Sequence, residues 1–262
     1  MNGILKELCG LALERTRRES ALVPLSELKM QAKYIKGRGY AFANALRATG
    51  LSVIAEVKKA SPSKGVIDGQ FDYLAIARDY EAGGAAAISC LTEPYYFLGS
   101  DDIFRQIRAQ VKLPMLRKDF ILTQYQVYTS AVMGADCILL IMSALDTGQA
   151  GELYALARSL GMEALFECRT ARQIEDALAL GGSIIGVNNR NLADFSVDEN
   201  RAAGMRPLVG KSNIFVCESG IMSVEGAPAP RRAGAGPVLS LIHNSEPTRP
   251  KNMAVSVLGV KK

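Results

Sequence analysis

The chain has 262 residues, 48% of them apolar and 22% charged; this fits one large α/β barrel or two small domains and excludes a disordered chain. The net charge is +5, but from Met222 onward Arg231, Arg232, Arg249, Lys251, Lys261 and Lys262 are balanced only by Glu225 and Glu246. Residues 1–221 are therefore nearly neutral and lack the basic stripe that a nucleic-acid backbone requires.

Residues 1–50 read as a helical extension. Ile4, Leu8 and Leu11 recur at i, i+4, i+7, and Phe42, Ala45 and Leu46 form a second stripe. Packing against the rest of the chain or against another subunit is equally compatible with them. A first strand is expected near Ser52–Val57, followed by a helix over Asp72–Ala82 carrying Leu74, Ile76, Ala77 and Tyr80. Strands follow near Ala86–Leu91, Leu113–Arg117 and Cys137–Met142. Next come a helix over Gly151–Leu160, a strand at Ala164–Glu167 and a helix over Thr170–Leu180, with Thr170 as its N-cap. The series ends with strands at Ile184–Val187 and Ile214–Cys217 and a weaker one at Pro237–Leu239.

Gly84, Gly134, Gly161, Gly182, Gly210 and Gly234 each stand where a helix gives way to a strand, as left-handed caps do. The apolar runs do not alternate, which suits parallel strands buried on both faces. Eight such signals favour a closed (β/α)8 TIM barrel over an open doubly wound sheet, and no GxGxxG follows a strand. One barrel domain is expected over residues 1–239, with residues 240–262 as an anomalous tail outside it.

The only histidine is His243. Upstream of it, Ser-His-Asp, Cys-His and histidine-rich metal sites are excluded, and acid–base chemistry must use Lys, Glu, Asp or Cys. Cys9, Cys90, Cys137, Cys168 and Cys217 form no CxxC pair, and four lie in or beside apolar runs, so they read as small core residues. No apolar run approaches the ~20 residues of a membrane span. Lys6 and Glu7 interrupt any signal-peptide core, so a cytoplasmic protein is expected.

Barrel chemistry sits at the C-terminal strand ends, and here those ends are polar. Glu56 and Lys58 are two apart and share one side of the first strand. The third strand closes on Lys118 and Asp119, the fifth on Glu167, the sixth on Asn188 and Arg190, the seventh on Glu218 and Ser219. Taken singly, each is an ordinary loop start. Together they bring acids and lysines to one mouth, where burial among opposite charges would suit them to proton transfer. The turn after Glu218 also offers backbone N–H groups to a phosphate.

The segments AEVKKASPSKG, LRKDF, the strand-end Glu167, GVNNRNL and ESGI stand in an order and spacing that resemble indole-3-glycerol-phosphate synthase. The resemblance covers residues 1–221. It implies a cofactor-free and metal-free carboxy-lyase of tryptophan biosynthesis. The expected reaction converts 1-(2-carboxyphenylamino)-1-deoxyribulose 5-phosphate to indole-3-glycerol phosphate, CO₂ and water. It further implies Lys118 as general acid for ring closure and Glu167 as acid/base in the dehydration. Lys58 would pair with substrate anions, and Glu56 would orient Lys118. Asn188 and Arg190 would hold the anthranilate end, while Ser61 would lie in a loop over the substrate. Glu218, Ser219 and Gly220 would line the mouth, Gly220 near the phosphate. The expected partner is the phosphorylated small molecule, with no nucleic acid and no membrane, for a monomer, a homodimer or part of a tryptophan-pathway assembly.

Beyond Met222 the resemblance weakens. Pro228 and Pro230 fall inside an expected helix. After Leu239 a phosphate-binding Gly-Ser pair and a closing helix are replaced by SLIHNSEPTRPKNMAVSVLGVKK. The last strand–helix unit is therefore expected to be aberrant or missing, through a damaged reading frame, foreign sequence joined near Ser240, or a true variant tail. Two other functions stay open: a Schiff-base aldolase using Lys118, and a phosphate-ligand-binding barrel inactivated by its damaged end.

Overall fold

The computed structural model describes residues 3–35, 37, 39–47, 52–62, 65–190, 196–198, 200–219 and 238–243, the last as backbone only. Its centre is a closed barrel of eight parallel strands: β1 (Val53–Val57), β2 (Ala87–Leu91), β3 (Met115–Lys118), β4 (Cys137–Ile141), β5 (Glu163–Cys168), β6 (Ile184–Asn188), β7 (Ile214–Glu218) and β8 (Val238–His243). Every residue of β1, β2, β4, β5, β6 and β7 is buried. This is why these strands read as continuous apolar runs: one face meets the barrel interior, the other the surrounding helices.

β8 closes the ring. It pairs with β1 from Val53↔Ser240 to Glu56↔His243, and with β7 from Val238↔Phe215 to Ser240↔Cys217. The strand expected at Pro237–Leu239 thus runs on through His243, and the boundary expected between Leu239 and Ser240 falls inside it. Pro228, Pro230, Gly234, the expected seventh barrel helix and the tail from 244 on lie outside the described residues.

Outside the strands lie α1 (Ile4–Leu22), α2 (Leu25–Ala32), α3 (Ala41–Leu46), α4 (Tyr73–Ala82), α5 (Asp101–Gln110), α6 (Gln124–Val132), α7 (Thr147–Ser159), α8 (Ala171–Ala179) and α9 (Asn200–Met205). Their starts are chemically defined. Asp72, Ser100, Thr123, Asp146 and Thr170 each accept a hydrogen bond from the backbone N–H three residues on, worth about 1 kcal/mol apiece. Asp146 also explains why α7 begins at Thr147 and not at Gly151: Gln149 completes a reciprocal capping box with it.

The N-terminal extension packs on the barrel. In α1 the buried side chains are Leu5, Leu8, Cys9, Ala12 and Thr16: Leu8 is buried as expected, while Leu5 and Ala12 take the places expected for Ile4 and Leu11. In α3 they are Phe42, Ala43 and Leu46 in place of Phe42, Ala45 and Leu46. These side chains, Thr16 aside, join the barrel-interior cluster of Ile54, Leu116, Leu139, Leu165, Ile184 and Val216. Full burial of a side chain such as Leu46 or Phe42 contributes about 1.5–3 kcal/mol. Glu163, at the start of β5, accepts the N–H of Ala43 at 2.8 Å, so α3 covers the N-terminal end of the barrel.

The left-handed residue after α8 is Gly181 (φ +81°), not Gly182. Gly182 is needed for closeness instead: a Cβ there would lie 2.9 Å from the Phe166 ring. Gly161 meets both demands, with φ +78° and a virtual Cβ 2.7 Å from the Cα of Gly37. Gly210 is absent from the positive-φ glycines; the segment before it ends in a 3-10 turn over Arg206–Leu208. Among the described residues no helix is long and apolar enough to cross a membrane.

Candidate active site

The period-2 alternation of strands decides which polar residues enter the barrel mouth. On β3, Leu116 joins the barrel interior and Lys118, two residues on, shares its side; Arg117 and Asp119 point the other way. On β5, β6 and β7 the same alternation brings in Glu167, Asn188 and Glu218, with Asn188↔Glu218 and Glu167↔Gly186 in register. Lys118 Nζ lies 3.3 Å from Glu167 Oε2 and 3.3 Å from Glu218 Oε2. One ammonium therefore bridges carboxylates from two strands. From β1, Glu56 Oε1 accepts a hydrogen bond from Lys58 Nζ at 2.7 Å, both side chains being nearly buried.

The electrostatics are those of a dry, crowded site. Burial alone would lower the Lys118 ammonium, but Glu218, Glu167 and Glu56 overcome it and hold it charged, above the ordinary lysine range. Glu218 is pushed up to about 8, by burial first and then by the Glu167 carboxylate, against the pull of Lys118. Near neutral pH the site thus holds a cationic lysine beside a carboxyl that readily takes up or gives up a proton, the pairing that acid–base chemistry needs.

The remaining expected residues are distributed as follows. Ser61 is buried in a two-residue strand, Ala60–Ser61, paired with Gly65–Val66 just beyond β1. Asn188 is buried, and its Oδ1 accepts the Arg190 N–H at 2.9 Å. Arg190 is half-buried and forms an isolated bridge with Val197. Ser219 follows β7 in a left-handed conformation, φ +64°. Gly220 lies outside the described residues. Glu56, expected to orient Lys118, bonds Lys58 and acts on Lys118 through space.

Sequence reasoning missed the support behind Lys118. Asp119 is fully buried and accepts from Arg15 Nη2 (2.6 Å), Thr92 Oγ1 (2.6 Å) and the Phe120 N–H (2.8 Å). Arg117, 1% exposed, reaches Asp101 (2.9 Å), Ser130 (3.1 Å), the Gln126 carbonyl (3.2 Å) and Asp119 (3.3 Å). Burial pushes the Asp119 carboxyl up, but Arg15 and Arg117 hold it below the ordinary range. This network clamps the end of β3 from outside and ties α1 to it. The alternation in LRKDF is the signal for two outward charges flanking the inward lysine; nothing local identifies Arg15, 104 residues away. Asn189 was also missed. Its Nδ2 donates to the Ser219 carbonyl (3.2 Å) and its Oδ1 accepts the Ala202 N–H (3.0 Å), joining the ends of β6 and β7 to α9.

All five cysteines are buried and free. Burial raises Cys9 and Cys217 to about 11 and the others further, so none is a ready nucleophile. Among the described residues no group of three or more His, Cys, Asp or Glu is placed to hold a metal ion.

The fold is a (β/α)8 barrel, and its mouth holds a lysine between two acidic side chains. Two solved structures share the fold at low identity: the N-acetylmannosamine-6-phosphate 2-epimerase from Clostridium perfringens (TM-score 0.57, 16% identity, 83% of this chain and 96% of that one) and thiamine phosphate pyrophosphorylase from Pyrococcus furiosus (TM-score 0.57, 15%, 83% and 99%). The family model for indole-3-glycerol phosphate synthase matches residues 5–246. Proteins named indole-3-glycerol phosphate synthase are similar over much of the chain. That of Ruminiclostridium cellulolyticum is 44% identical over 237 residues, 90% of this chain and 91% of its own. That of Sulfurimonas denitrificans is 52% identical over 169 residues, 64% of each. The chain belongs to the indole-3-glycerol phosphate synthase family, and is a lyase acting on a phosphorylated small molecule.

Proposed function

We propose that the chain closes the indole ring of 1-(2-carboxyphenylamino)-1-deoxyribulose 5-phosphate, with Lys118, Glu167 and Glu218 moving the protons. The observation that carries this reading is the Lys118 ammonium held at 3.3 Å from both Glu167 and Glu218 inside the barrel mouth. The ring carbon bearing the carboxylate attacks the ribulose carbonyl carbon. The carbonyl π pair becomes an alkoxide, and Lys118 gives it a proton. The C–CO₂ bond breaks, its electrons return to the ring, and CO₂ leaves. The new hydroxyl then takes a proton and departs as water, and a proton is removed from the neighbouring CH₂ carbon, completing the indole.

Those last two transfers need one group to give a proton and one to take it. Glu167 and Glu218, each 3.3 Å from the Lys118 ammonium, are assigned to them. Glu218 thereby takes a larger part than the substrate contact expected from sequence. Lys58, braced by Glu56, pairs with the substrate carboxylate, and Asn188 and Arg190 hold the anthranilate ring. Ser61 and Ser219 line the rim, with Gly220 assigned to the phosphate.

A lysine that forms a Schiff base must reach its neutral form. Glu218 when ionised, Glu167 and Glu56 hold Lys118 charged, which speaks against the aldolase reading. Indole fluorescence developing on addition of the substrate tests the proposal. A borohydride-trapped adduct on Lys118, with no indole formed, would replace it with the aldolase.

A further inference from the structure

We infer that Gly186 is a positioning residue for the reaction: its missing side chain is the opening through which Glu218 reaches Lys118 across the intervening strand. The inference rests on the reading of Lys118 and Glu218 given above.

Around the barrel the order is β5, β6, β7. Glu167 extends from β5 and Glu218 from β7, yet both carboxylates meet the same ammonium. Glu218 must therefore lean toward β5 over the inner face of β6. The residue at that place is Gly186, in register with Glu167 on one side and Val216 on the other. Since Glu167 faces inward, a side chain at 186 would face inward too. A Cβ built on Gly186 would lie 2.3 Å from Glu218 Oε1, 3.3 Å from its Cδ and 3.1 Å from Leu165 Cδ1. A contact of 2.3 Å is far inside van der Waals distance, and Leu165, fully buried, fills the adjacent space. One methyl group at 186 and the present Glu218 carboxylate are mutually exclusive.

Gly186 is not among the positive-φ glycines, so alanine fits the backbone there and the conflict is with the side chain. The same lean keeps the Glu218 carboxyl away from water, and that burial is the main reason its proton affinity is high. Gly186 thus bears on two properties of Glu218: its reach to Lys118 and its readiness to hold a proton near neutral pH.

The experiment is a double-mutant cycle of Gly186→Ala and Glu218→Ala in the full chain. It is read by kcat and KM for indole formation, and by carbon-13 NMR titration of the Glu218 carboxyl in the wild type and in Gly186→Ala. A displacement of about 1 Å at a reacting group costs on the order of 100-fold in rate. Gly186→Ala should lower kcat by that factor with little change in KM. It should also move the Glu218 titration from about 8 toward the ordinary carboxylate range. In the Glu218→Ala background, where the obstructing carboxylate is gone, the same change should cost less than about 3-fold, because coupled neighbours are not additive. An equal loss in both backgrounds, or an unmoved Glu218 titration, overturns the inference. If Glu218→Ala alone leaves turnover intact, the catalytic reading of Glu218 fails, and the titration still decides whether Gly186 sets its position. Should Gly186→Ala fold poorly, Gly186→Ala with Leu165→Val relieves the second contact and is read by the same titration.

Discussion

Replacing Glu218 with glutamine should remove a pH dependence of stability and not merely a contact. In the folded chain the Glu218 carboxyl is raised from 4.5 to about 8; in the unfolded chain it titrates in the ordinary range. Between these values the folded state holds a proton that the unfolded state has released. Stability from this group is therefore fully present below about pH 4.5 and is lost as pH rises through about 8. At about 1.4 kcal/mol per pH unit, the loss across this window is on the order of 5 kcal/mol. Glutamine keeps the shape and releases no proton, so Glu218→Gln lacks this slope. The assay is urea unfolding of both proteins at pH 5, 6, 7, 8 and 9. The difference between them should change by several kcal/mol in favour of glutamine as pH rises, and then level off. Parallel curves would show that Glu218 does not titrate upward in the folded barrel, and the argument from its burial beside Glu167 would fail.

Three further outcomes are expected. Lys118→Met should lower kcat for indole formation by about 10²–10⁴-fold, the usual worth of a positioned proton donor, with the fold intact by circular dichroism; turnover within a factor of a few of wild type would remove Lys118 from the chemistry. Arg117→Met leaves Asp101, Thr92 and Ser130 without a donor they now have and Asp119 with Arg15 as its remaining cation. Breaking such a buried set should cost about 3–5 kcal/mol in chemical denaturation, and a loss under 1 kcal/mol would mean that the network is dispensable. Gly161→Ala forces a left-handed alanine, about 1–2 kcal/mol, and adds a contact 2.7 Å from Gly37. A clearly lowered Tm is expected, and an unchanged one would contradict the close approach of that loop.

The sequence by itself determined the parallel barrel and the polar residues at its mouth. Both follow from local rules. A strand buried on both faces must be apolar throughout, a helix start needs an acceptor such as Thr170 or Asp146, and a period of two aims Glu56 with Lys58, and Leu116 with Lys118, to one side. Boundaries were less legible. In α1 and α3, Leu8, Phe42 and Leu46 are buried as expected, but Leu5, Ala12 and Ala43 replace Ile4, Leu11 and Ala45, because which apolar side chain is buried depends on the surface it meets. The last strand read as weak at Pro237–Leu239, yet it extends to His243 through pairing with β1, some 185 residues earlier in the chain.

Only the tertiary structure decided who bonds whom. Lys118 is shared by Glu167 and Glu218, Glu56 turns to Lys58, and Arg15 reaches Asp119. These pairings, and the raised proton affinity of Glu218, depend on distances of a few ångströms between strands and on the exclusion of water. Such distances are fixed by barrel closure. Residue type and spacing along the chain carry no record of them.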